Sequence, residues 1–386
     1  MSDYGIVCEF NPFHNGHAYL FKKARESGAD RIICVMSGNA VQRGELAMTD
    51  KYRRARTALE CGADLVLELP YPWSSAGAEF FADAATYIAS FFCDTLFFGS
   101  EQGKGEALID AARVCESAEF LNRFKERTAS GEGAAAVFAS LLEESGFGSL
   151  GSNDLLGISY IRSVLRNGYQ MDIKTTERIG TAYNSETLTG ELPSASAIRR
   201  LVENGDLESA VSSLPEASAR ALRDAVESGE LVSNSEMLDA ALMYFRLHSG
   251  SDFEGVAETS GGLANRICSA AREAKDGEEL MRLSGTKVYT NARIRRAMLY
   301  CMTGVSEEML RARPEYTTLL AANERGRELL ALNRKRGGIK VVTKPADAPL
   351  HSEQYELSSK LDAIFTLSLK NKKSAGEMMK KSAYIG

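Results

Sequence analysis

The chain has four histidines, and two of them, His14 and His17, stand three residues apart around Gly16 in the stretch GIVCEFNPFHNGHAYLF. Two imidazoles at that spacing can donate hydrogen bonds to phosphate oxygens as negative charge develops during displacement at phosphorus. Such stabilisation needs no covalent step by the protein. Two other readings stay open: a structural pair at a helix start, or metal ligands. No third His or Cys lies near in sequence, though a carboxylate could join through folding.

The surrounding elements must position this pair. Gly5 begins an apolar run that stops at Asn11-Pro12, and helical spacing starts after Gly16, so the histidines fall at a strand–turn–helix junction. The amides and positive dipole end of that helix favour phosphate, and Gly16 permits a close backbone approach. YGIVCEF, RIICVMSG, DLVLELP and DTLFFGS are short apolar runs closed by Gly, Pro or Asn, as expected for strands buried on both faces. Helical spacing lies between them at residues 18–27, 50–61 and 76–91, with Asp50 as an N-cap. SNDLLGISYIRSVLRNG predicts a helix stopped by Gly168, MDIKTTERIG a strand, and SASAIRRLVENG a helix capped by Ser194 or Ser196 and closed at Gly205. This alternation predicts an α/β fold: a Rossmann-like, doubly wound, mainly parallel sheet with ligands beyond the carboxyl ends of its strands.

Strand signals fade after residue 205. SEMLDAALMYFRLHSG, GLANRICSAAREA and ARIRRAMLYCMTG predict a helical domain. Beyond Pro314, YTTLLAANERGRELLALNRKRGG reads as a basic helix and IKVVTK as a strand, a small basic C-terminal α/β region. The expected domains are 1–205, 206–312 and 313–386.

The net charge of −6 is uneven. Residues 281–386 hold 20 Lys+Arg against 10 Asp+Glu, leaving 26 against 42 in residues 1–280. That basic end suits a polyanion or is a solvated surface. Arg293 and Arg296 share one face of a predicted helix, with Arg295 beside them, and Tyr289 and Tyr316 are candidates for base stacking. Cys8, Cys34, Cys61, Cys93, Cys115, Cys268 and Cys301 are scattered without a C-x-x-C pair, which suits reduced, buried thiols. No apolar run reaches the roughly 18–20 residues of a membrane span, and no secretory pattern opens the chain. These features place the protein in the cytoplasm; they set no oligomeric state.

Other polar residues have two readings each. Arg43 either binds a carboxylate or a phosphate or pairs with Glu45; Glu68 and Glu79 are either partners of an internal cation or site residues; Lys51 is expected at the surface. SASAIRR reads on its own as an ordinary capped helix; it also resembles the Ser/Thr-rich helix start with which the nucleotidyltransferase superfamily contacts ATP phosphates, which implies a phosphate role for Arg199.

His14-Asn15-Gly16-His17 is the H-x-G-H signature of the nucleotidyltransferase superfamily. Together EFNPFHNGH, MSGNAVQRGE, LVLELPYPWSSAGAEFFA, FFGSE, SNDLLGISYI and SASAIR resemble, in order and spacing, the bacterial tRNA(Met) cytidine acetate ligases, well over residues 4–200 and more loosely to the VVTK strand. The resemblance implies that ATP and acetate form acetyl-adenylate, and that acetyl passes to N4 of the wobble cytidine of elongator tRNA(Met). It implies catalytic roles for His14 and His17. It also implies an ATP site of Val7, Cys8, Glu9, Phe10, Asn11, Pro12, Phe13, Asn15, Gly16, Ala18, Tyr19 and Leu20, with Gly99, Asn153 and Arg178. Asn153 has a second reading as a helix cap. Leu20 stands where the family often has histidine and reads as packing. Mg²⁺ is expected with ATP, without a visible protein ligand. The competing readings are a small-molecule nucleotidyltransferase, a pantothenate synthetase-like ligase, and a non-catalytic RNA-binding relative.

Overall fold

The computed structural model describes residues 1–130, 132–178, 193–286, 288–349 and 351–386. The strands are β1 (Asp3–Cys8), β2 (Arg31–Ser37), β3 (Ala40–Val41), β4 (Glu45–Leu46), β5 (Leu65–Leu69), β6 (Thr95–Ser100), β7 (Asp172–Glu177), β8 (Tyr316–Ala322), β9 (Lys340–Val342) and β10 (Tyr384–Ile385). One sheet runs in the order β10-β8-β5-β2-β1-β6-β7, with β9 also on β8. From β5 to β7 every pairing is parallel, while β8 lies antiparallel on β5. Every residue of β2 and β5 is buried, which is why both read as near-continuous apolar runs, Glu68 being the one charge inside β5. The last two residues of the expected MDIKTTERIG strand, 179 and 180, lie outside the described residues.

The first three helices are α1 (Asn15–Glu26), α2 (Lys51–Glu60) and α3 (Ala78–Ala89). The caps match the residue chemistry. The Asp50 side chain accepts from the amides of Tyr52 and Arg53, Gly168 ends helix Ser152–Asn167 in the left-handed conformation, and Ser194 rather than Ser196 caps helix Ala195–Glu203. Helices also dominate residues 206–312, as expected.

The expected helix beginning at Tyr316 is corrected. YTTLLAA forms β8, buried at all seven positions, and the helix starts only after Asn323, whose side chain accepts the Gly326 amide. Burial on β5 decides a run whose spacing fits either element. The C-terminal region therefore adds strands to the sheet that the first residues begin.

Candidate active site

The cleft forms where the carboxyl ends of β1 and β2 meet the start of α1. Arg54, midway along α2 and 3% exposed, donates to the backbone carbonyls of Glu9, Ser37, Gly38 and Thr49, so one buried guanidinium fixes both strand ends. Burial lowers its pKa to about 10. The sequence reading missed Arg54, although it shares the buried face of Ala55 and Ala58.

The two histidines cap their own helix. The His14 amide donates to Nδ1 of His17 at 3.2 Å, and the Gly16 amide donates to Nδ1 of His14 at 3.0 Å. The rings stack with centroids 3.8 Å apart over the packed rings of Phe10, Phe13 and Phe21. A nitrogen that accepts an N–H carries no proton, so each neutral ring has its proton on Nε2. Burial, with Arg178 nearby, pulls His14 down to about 3; burial, His14 and Arg178 pull His17 well down. Both rings are therefore neutral donors at working pH. Gly16 is needed because a Cβ there would lie 2.8 Å from Cε1 of His14. The expectation that the amides of α1 themselves wait for phosphate is modified. Those of Asn15, Gly16 and His17 bond Ser213, His14 Nδ1 and the His14 carbonyl, and the imidazoles extend their polarity outward.

Across the cleft, the end of β6 and the start of helix Ser152–Asn167 place the next group. Asn153 Nδ2 donates to Glu101 at 2.6 Å, and its Oδ1 accepts from Arg178 at 3.3 Å. Asn153 is thus held by side chains, while Gly151 occupies the cap. Burial opposes ionisation of Glu101, but bonds from the Asn153 side chain and the amides of Asn153 and Asp154 hold its carboxyl below the usual range. A Cβ on Gly99 would come within 2.9 Å of Arg178 Cγ, so glycine leaves room for the arginine to lie across the strand end. On the third side Arg199 donates to the Asn11 carbonyl at 2.9 Å and lies 3.5 Å from Glu45, whose other oxygen takes Arg295 at 2.8 Å.

The space enclosed is about 230 Å³. Of the expected residues, Val7, Cys8, Glu9, Phe10, Asn11, His14, His17, Leu20, Gly99, Asn153 and Arg178 line it, joined by Arg43, Glu45 and Arg199. Pro12, Phe13, Asn15, Gly16, Ala18 and Tyr19 do not; Phe13 is packed beneath the histidines. Leu20 packs against the core as expected, yet it also reaches the cleft wall.

Several expectations resolve elsewhere. Lys51 is buried rather than exposed, its ammonium 2.6 Å from Glu68, which is therefore an internal partner. Glu79 pairs with Arg166 at the surface. Arg293 and Arg296 both grip Glu258, and Tyr316 is buried in β8. All seven cysteines are free thiols. Among the described residues no helix is long and apolar enough to cross a membrane, and no three His, Cys, Asp or Glu side chains gather into a metal cluster.

Comparison with known proteins agrees in both sequence and shape. Residues 1–380 match the family described as HIGH Nucleotidyl Transferase. The chain is 32% identical over 394 residues to the tRNA(Met) cytidine acetate ligase of Acetivibrio thermocellus, covering 95% of each protein. It is 33% identical over 362 residues to the Bacillus subtilis protein of that name, covering 89% of this chain and 87% of the other. The crystal structure of Thermotoga maritima TmcAL bound with alpha-thio ATP superposes with a TM-score of 0.90 at 30% identity, covering 100% of this chain and 99% of that one.

Proposed function

This chain belongs to the tRNA(Met) cytidine acetate ligase family of HIGH nucleotidyl transferases, and we propose that it activates acetate with ATP and acetylates N4 of the wobble cytidine of elongator tRNA(Met). The carrying observation is the pair of Nε2–H donors at His14 and His17, locked by backbone amides in the wall of the cleft.

In this reading an acetate oxygen attacks the α-phosphorus of ATP in line with departing pyrophosphate. His14 and His17 donate to phosphate oxygens, most strongly as charge builds in the transition state. Arg178 and Arg199 flank them as cations, and Asn153 and Gly99 set the place of Arg178. Fixed donors that need no reorganisation supply most of the effect, and alignment of acetate supplies the rest. The cytidine amine then attacks the acyl carbon and AMP leaves. Mg²⁺ arriving with ATP would neutralise phosphate charge, and among the described residues no His, Cys, Asp and Glu cluster would hold it. Residues 1–205 carry the ATP site, while 206–312 and 313–386 present surface to tRNA. The protein works in the cytoplasm, with its tRNA.

The test is acetate-dependent exchange of pyrophosphate into ATP, with and without tRNA. Exchange with acetate is expected. Its absence in both conditions, with no acetylated RNA, overturns the reading.

A further inference from the structure

Acetyl transfer must move a proton. When the cytidine N4 attacks the acyl carbon, the new C–N bond forms and the bond to the AMP oxygen breaks, its electron pair leaving on the phosphate. The nitrogen sheds one proton. Few groups in the cleft can take it. His14 and His17 have Nδ1 occupied by backbone amides and offer only N–H. Glu45 has an arginine on each oxygen. Glu101 takes the amides of Asn153 and Asp154, and Asp154 is fully buried against Ser100.

Glu9 differs. It lines the cleft one residue beyond β1, and its Oε1 accepts the Gln42 amide at 2.9 Å. Its Oε2 has no hydrogen bond or ion pair among the described residues. The neighbouring cations are engaged elsewhere: Arg54 holds the backbone carbonyl of Glu9, and Arg199 holds that of Asn11 and pairs with Glu45.

We propose that Glu9 is the general base of acetyl transfer, taking the N4 proton on Oε2 while the Gln42 amide fixes Oε1. The inference rests on the acetyl-transfer reading above. The proton passes from Glu9 to water once AMP and acetylated tRNA leave. Burial raises the carboxyl above its usual range against the pulls of the Gln42 amide, Arg199 and Arg54, with Glu45 adding to the rise. A more basic carboxylate is the better acceptor.

The experiment separates the two half-reactions in wild type, Glu9→Gln and Glu9→Asp. Acetate-dependent pyrophosphate exchange reports adenylation. A single-turnover chase of enzyme-bound acetyl-adenylate with elongator tRNA(Met) reports transfer, followed from pH 5 to 8. Glu9→Gln keeps an oxygen for the Gln42 amide, and a melting curve checks its fold. Loss of a general base costs about 10²–10⁴. Because Glu9 also lines the ATP cleft, exchange is allowed to fall; the expected result is a transfer rate down at least about a hundredfold and at least about tenfold more than exchange. Glu9→Asp should recover part of the transfer, and the acid limb of the wild-type transfer profile should vanish in Glu9→Gln. Equal loss of both steps, an unchanged transfer rate, or a retained acid limb overturns the assignment of Glu9. Absence of exchange in wild type both with and without tRNA, with no acetylated RNA formed, overturns the ligase reading itself, and this inference with it.

Discussion

Replacing His14 separates its two jobs, capping α1 and donating to phosphate. Asparagine is among the best N-caps and can still accept the Gly16 amide, whereas alanine accepts nothing; losing such a cap costs about 1 kcal/mol. His14→Asn should therefore melt close to wild type, and His14→Ala lower by about that free energy. Both lack the Nε2–H, and removing one preorganised donor costs about 10²–10³ in rate, or about 2.7–4 kcal/mol. Both should lose pyrophosphate exchange by that factor. The pH dependence adds a second check. The unfolded His14 takes a proton near pH 6.5, while the folded ring resists it down to about 3. The unfolded state thus binds more protons in that window, and stability falls as the pH drops below about 6.5. At pH 5 the His14 share is about 1.5 units at 1.36 kcal/mol each, or about 2 kcal/mol. Urea unfolding at pH 7 and pH 5 should show a smaller acid loss in His14→Asn than in wild type. Exchange near wild type in His14→Asn, or an identical acid loss, refutes the reasoning.

Other consequences follow from single contacts. Gly99→Ala puts a Cβ within 2.9 Å of Arg178 Cγ; the arginine must shift, and KM for ATP in the exchange assay should rise about tenfold with the melting temperature held. Arg54→Met removes the donor from four backbone carbonyls and should cost about 3 kcal/mol in urea unfolding; a change within the measurement error would count against the clamp. Arg334, Lys335 and Arg336 are exposed and have no ion pair among the described residues. Replacing all three by alanine should leave exchange intact and flatten the salt dependence of tRNA binding by about two to three units of slope; an unchanged slope removes this patch from the tRNA surface.

The parts legible in the sequence were those with local causes. β2 and β5 read as strands because burial on both faces leaves them nearly all apolar, with Glu68 the single charge inside β5. Asp50, Ser194 and Gly168 announced helix ends because each does its work within a few residues. β8 was illegible because its partner β5 lies some 250 residues away, and only Asn323 marks where strand gives way to helix. The helices Gly105–Cys115, Ala118–Ala129 and Ala134–Leu142 also went unassigned. In the site, the histidine junction was readable from its order of elements. Arg54 and Glu101 were not, since each acts on backbone brought to it only by folding. Lys51 misled for the same reason: its partner Glu68 belongs to a neighbouring strand. Arg293 and Arg296 were correctly placed on one face, but what that face meets is Glu258.

In this reaction acetate becomes an adenylate before it becomes an amide, and an isotope in the acetate oxygens follows that order. If an acetate oxygen attacks the α-phosphorus and the amine then attacks the acyl carbon, the bridging oxygen leaves with AMP. Acetate labelled with ¹⁸O in both oxygens, incubated with ATP, the enzyme and elongator tRNA(Met), should yield AMP carrying one ¹⁸O for each N4-acetylcytidine formed. Acetylated tRNA accompanied by unlabelled AMP, or by ADP in place of AMP, contradicts the account.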